Sequence, residues 1–149
     1  MTATPRIALP GLMIGAVSAL FAGGLALIGG MPASWAAVTA VTLGLPLAAF
    51  GTGCSALWEY GILRAGAFAP VALYWVIAFP VARLVQDVGT RLVLDERFDW
   101  PPHPLAFLAY QALISVGFAI GFVWVHERLL TSARRAVAAR AERSVAHRP

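Results

Sequence analysis

The sequence predicts an all-α integral membrane protein: a four-helix bundle with a short periplasmic amphipathic segment between the third and fourth spans. Three observations predict it. Hydrophobic residues make up 60% of the 149 residues and charged residues only 12%, with a mean hydropathy of +0.77. A soluble domain carries roughly 25% charged residues, and one of this size cannot hide so much apolar surface in a single core. Apolar stretches at about 9–29, 35–58, 67–87 and 105–126 each approach the ~20 residues a helix needs to cross ~30 Å of hydrocarbon. Finally, six of the eleven arginines follow the last stretch, in a basic tail over 127–149. The length leaves room for a single transmembrane domain.

The first span begins after Arg6 and reads LPGLMIGAVSALFAGGLALIGG. A cleaved signal peptide is the rival reading, with Arg6 in its basic region and Ser34-Trp35-Ala36 near a cleavage site. The apolar run is long for that role. Gly29-Gly30-Met31-Pro32 stops the helix, and Ser34 is placed to cap the next. Trp35 then sits where an amphipathic ring favours a membrane interface.

The second span carries Pro46 in its middle, where a missing backbone donor predicts a kink near Thr42 to Pro46. It ends at Glu59, and a short link through Gly61 and Arg64 leads to the third span. Pro80 predicts a second kink. Beyond it Val81, Leu84, Val85, Val88 and Leu92 recur at helical spacing, with Arg83, Gln86, Asp87 and Arg91 between them. That pattern predicts an amphipathic helix leaving the hydrocarbon. Pro101, Pro102 and Pro104 make a stiff connector into the fourth span.

Arginine placement sets the orientation. Four spans put both termini on one side, together with Arg6, Arg64 and the six tail arginines; the other side holds Arg83, Arg91 and Arg97. The excess of eight to three predicts cytoplasmic termini in a bacterial-type inner membrane.

In lipid, close approach and hydrogen bonds hold helices together, because apolar burial gives no advantage. Gly11, Gly15, Ala19 and Gly23 form one smooth strip on the first span, and Gly117 and Gly121 a shorter one on the fourth. Gly44, Ala48 and Thr52 form another on the second, beside Gly51 and Ser55. These strips are candidates for contact within the bundle, with a partner membrane protein, or with another copy.

An ionisable residue in a span is costly to bury and is a candidate for function. Glu59, with Arg64 and Ser55, is the candidate polar or transport site, although its position at the end of a span also suits a hydrated interfacial carboxylate. Arg83 and Asp87 are the candidate contact for a lipid headgroup or anion at the outer interface, or a simple interfacial ion pair. Tyr74, Trp75, Tyr110 and Gln111 need partners for their polar ends if buried.

Several chemistries are disfavoured. One cysteine, Cys54, allows no disulfide within the chain and no CxxC pair. His103, His126 and His147 fall at unmatched depths, which argues against haem or a metal centre. Asp95, Glu96 and Asp99 could bind a cation, but such a cluster is more often a solvated loop. No P-loop, GxGxxG, HExxH or Ser-His-Asp order appears. The tail lacks the interleaved aromatics of a single-strand nucleic-acid binder, and its arginines suit anionic headgroups. The uncharged first span is unlike that of the small multidrug transporters, which carries a membrane-embedded glutamate.

The expectation is therefore a protein without cofactor, metal or catalytic residues: an accessory, assembly or scaffold subunit of a larger inner-membrane complex. Its partners are the bilayer and a membrane protein or a second copy, not nucleic acid. A small oligomeric transporter or channel using Glu59 is the alternative, and a lipid-handling factor using Arg83 and Asp87 a second.

Overall fold

The computed structural model describes the backbone of residues 4–63, 68–95 and 97–146, and their side chains except at 4–7, 126, 129–130 and 132–146. Among the described residues there are four helices and no strand. They are α1 (Thr4–Ile28), α2 (Ala33–Glu59), α3 (Phe68–Leu94) and α4 (Pro104–Ala146). Each contains a stretch long and apolar enough to cross a membrane.

The helices run up, down, up, down. α1 packs chiefly on α2, α3 lies between α2 and α4, and α4 barely touches α1. The α1–α2 turn and the α3–α4 connector thus share one end of the bundle. The start of α1, the α2–α3 link and the exit of α4 share the other.

Helices α1 and α2 end in the same way. Met31 N–H donates to the Ala26 carbonyl at 2.9 Å and Gly30 N–H to Leu27 at 3.0 Å. In the second stop Ile62 N–H donates to Leu57 and Gly61 N–H to Trp58, both at 3.0 Å. This pairing satisfies orphan carbonyls by turning one residue left-handed, which a side chain resists. Gly30 (φ 79°) and Gly61 (φ 73°) occupy those positions. At the start of α2 the outcome differs from expectation. The helix begins at Ala33, Pro32 is the capping residue, and no side chain caps it, so Ser34 already lies inside the helix. Proline's fixed φ suits the entry to a helix, although its ring offers no acceptor to the first N–H groups.

Three internal prolines are carried within continuous helices, Pro10 in α1, Pro46 in α2 and Pro80 in α3. No separate segment follows Pro80: α3 runs on to Leu94, with Pro80 itself buried. The faces of its second half are also informative. Val81, Val85 and Leu92 point away from the bundle, while Ala82 and Gln86 point into it. An apolar face outside and a polar side chain inside is the arrangement expected of a helix in lipid.

Two kinds of packing hold the bundle. Between α1 and α2 small residues bring backbones close. A Cβ built on Gly15 would stand 2.5 Å from Ala48 Cβ and 2.6 Å from the Gly44 carbonyl oxygen. A Cβ on Gly44 would stand 2.7 Å from Ala19 Cβ, and one on Gly23 3.1 Å from Ala40 Cβ. One on Gly11 would collide with Thr52. The strip on α1 is therefore filled by α2 along its length.

Between α2, α3 and α4 the contact is aromatic. Trp75 is fully buried, with ring centroids 4.7 Å from Phe118 and 5.1 Å from Phe122. Phe79 stacks on Phe118 at 5.0 Å, and Phe122 reaches Trp58 at 6.1 Å. Tilted and edge-on rings at these distances add to the packing of large side chains.

Candidate functional site

This packing leaves one side of α1 open, where Leu20 and Gly24 lie, and one face of α4. Tyr110, Leu113, Gly117, Gly121 and Trp124 follow one another by three or four residues, so they line one face, and all are exposed. A Cβ built on Gly117 or Gly121 meets nothing within 4 Å. These glycines do not contribute to packing within the chain, in contrast to Gly11, Gly15 and Gly23, which lie against α2. The result is an open apolar strip between Leu113 and Trp124. The Arg128 guanidinium lies over the Trp124 ring, 4.9 Å from its centroid.

α4 also continues beyond its apolar part. Its apolar span covers Pro104–Val125, and the helix runs on to Ala146. At 1.5 Å per residue the extension adds about 30 Å. The sequence expectation was simply a basic tail from 127; its backbone is helical.

The polar candidates separate. Glu59 is exposed at the last turn of α2. Arg64, its expected partner, lies outside the described residues. Ser55, one turn earlier, is buried, and its hydroxyl has no hydrogen-bond partner among the described residues. Ser55 and Glu59 thus occupy different environments, and the structure brings no acidic group to Ser55.

Asp87 makes its ion pair with Arg91, one turn on, at 3.1 Å, while Arg83 stays near enough to feel its charge. An acid placed four residues before a base is the favourable order along a helix. Arg83 lies partly buried and Gln86 is buried with 6% exposure. Gln111 on α4 is similarly buried at 5%, while Tyr110 is exposed.

Two interhelical hydrogen bonds join α3 to α2; the first gives Tyr74 the partner its polar end needs, and the second was not anticipated from sequence. Tyr74 donates its hydroxyl to the Phe50 carbonyl at 2.7 Å, tying α3 to α2. Thr42 and Thr90 hydroxyls meet at 3.0 Å, where Gly89 lets α3 approach. Thr42 donates to the Val38 carbonyl at 2.7 Å, which leaves Thr90 to donate to Thr42. The only sequence signal for the threonine pair was a hydroxyl on each of two antiparallel spans.

Cys54 is buried in the core. Asp95, Asp99 and His103 are exposed, whereas Glu96 and His147 and the His126 side chain lie outside the described residues. Among the described residues no group of three His, Cys, Asp or Glu side chains is arranged to hold a metal ion.

Comparison with known proteins finds no matching family, no matching curated protein and no matching solved structure.

Proposed function

We propose that the protein is a non-catalytic accessory or assembly subunit of a larger complex in a bacterial-type inner membrane. α4 is its docking helix. The observation that carries this reading is the open Gly117–Gly121 face, set beside an α1 strip already filled by α2. Small residues on a lipid-facing helix allow a second backbone to approach closely, and that approach is what makes helix association favourable in lipid. A glycine facing only lipid gains nothing from lacking a side chain and leaves helix propensity unused.

The arginine distribution supports cytoplasmic termini, so the connector over 95–103 faces the periplasm and the helical extension of α4 enters the cytoplasm. That extension carries Arg128, Arg134, Arg135, Arg140 and Arg143, and offers a basic second contact to a partner or to anionic headgroups. The partner helix lies against Tyr110, Leu113, Gly117, Gly121 and Trp124.

Purification in mild detergent, followed by mass spectrometry of co-eluting proteins, tests the reading. A stoichiometric membrane-protein partner is expected. It should be lost from the double variant Gly117→Leu/Gly121→Leu while the chain remains folded. A clean homo-oligomer, or an unaffected partner, overturns it.

A further inference from the structure

At the end of the bundle that holds the α3–α4 connector, Arg91, Asp95, Arg97 and Asp99 surround an open cavity of about 420 Å³. It is open to the outside, and the four side chains that line it are all charged. The charges are not all neutralised within the chain. Arg91 is engaged by Asp87, but among the described residues Asp95, Arg97 and Asp99 enter no ion pair. Carboxylates and a guanidinium therefore line one cavity without reaching one another. A ligand that carries both signs of charge would satisfy them together.

The neighbouring surface indicates where such a ligand comes from. Leu92, Val93, Phe98 and Trp100 are half or more exposed around the same segment, and Phe98 and Trp100 stand edge to face at 6.0 Å. Apolar and aromatic side chains at the end of a spanning helix lie at headgroup level, beside the first acyl carbons. A charged cavity bordered by such a surface is matched by a molecule with a zwitterionic head and an apolar tail.

We infer that this cavity binds the headgroup of a phosphoethanolamine lipid. The phosphate lies toward Arg97 and the free donors of Arg91, and the ammonium toward Asp95 and Asp99. A guanidinium recognises phosphate by paired, charge-assisted hydrogen bonds. A primary ammonium has three N–H donors for carboxylates. A quaternary ammonium has none and favours an enclosing set of aromatic faces, whereas the lining here is charged. An anionic headgroup meets two carboxylates with no cation to offer them. The inference requires only that the helices span a bilayer, and it is independent of any partner at α4.

Native mass spectrometry of the full chain, released from nanodiscs holding equal fractions of phosphatidylethanolamine, phosphatidylcholine and phosphatidylglycerol, tests it. The ethanolamine lipid should be retained at least about tenfold over either of the others, the gap of one charge-assisted hydrogen bond. Arg97→Gln and the double variant Asp95→Asn/Asp99→Asn should each remove that preference. All three side chains are exposed, so neither change disturbs the core. Equal retention of the three lipids, or a preference that survives both variants, overturns the assignment. Displacement of the lipid by free phosphoethanolamine at millimolar concentration would show a soluble zwitterion as the ligand, and also overturns it.

Discussion

Replacing Gly15 with alanine gives the sharpest test of how α1 and α2 are held together. The new Cβ would stand 2.5 Å from Ala48 Cβ, 2.6 Å from the Gly44 carbonyl oxygen and 2.9 Å from Ala48 Cα. Carbon atoms rest at about 3.5–4.0 Å, so the helices must separate by about 1 Å at this level. Neither the Gly44 oxygen nor the Ala48 Cα can rotate away, because both are backbone. Overpacking of this kind costs about 1–3 kcal/mol. Alanine regains about 1 kcal/mol of helix propensity over glycine, which obscures the strain if Gly15→Ala is measured alone. Gly24→Ala supplies the correction. It lies in the same helix, a Cβ there meets nothing within 4 Å, and it carries the same propensity gain. The difference between the two variants isolates the strain, and should be about 1–3 kcal/mol. Unfolding in mixed dodecyl maltoside and dodecyl sulfate micelles, followed by far-UV circular dichroism, measures it. A Gly15→Ala protein as stable as Gly24→Ala would refute the close α1–α2 contact.

Other outcomes follow from the remaining contacts. Tyr74→Phe removes the 2.7 Å bond to the Phe50 carbonyl and should cost about 0.6 kcal/mol in the same titration, the usual size of such a bond between membrane helices. Trp75→Ala empties the fully buried centre of the aromatic cluster and should cost about 3–5 kcal/mol, several times more. Equal losses for these two would contradict the placement of the core. For topology, alkaline phosphatase fused after Trp100 should be active and a fluorescent protein fused after Pro149 should fluoresce; the reverse pattern contradicts the arginine argument.

Much of the fold was legible because it is written in uncharged length. Four apolar stretches gave four helices, and glycines at the stops gave the left-handed turns at Gly30 and Gly61. The four-residue spacing of Gly11, Gly15, Ala19 and Gly23 showed that a smooth strip existed. It could not show which helix fills it, since α2 and α4 both carry small residues. For the same reason the contrast between Gly15 and Gly117 needed coordinates.

The second half of α3 could be read in more than one way from sequence. Alternation of polar and apolar residues after Pro80 looks like a helix meeting water. The same pattern fits a helix that turns Gln86 inward and Val85 toward lipid. Pro80 removes only one backbone bond, and neighbouring helices can support that loss in a membrane. Asp87 had an arginine four residues away on each side, and spacing alone did not choose Arg91 over Arg83. The charged cavity depends on the path of the connector, which brings Arg97 and Asp99 back toward Arg91 and Asp95. No periodicity describes that path.

The proposed docking face is tested most directly by photocrosslinking in living cells. A benzophenone amino acid at Leu113, beside Gly117, should give one adduct of defined, larger mass with a second membrane protein. The same probe at Leu20, on the exposed side of α1, should give none. Adducts only at twice the mass of the chain, or equal labelling from Leu113 and Leu20, would contradict a partner helix on α4.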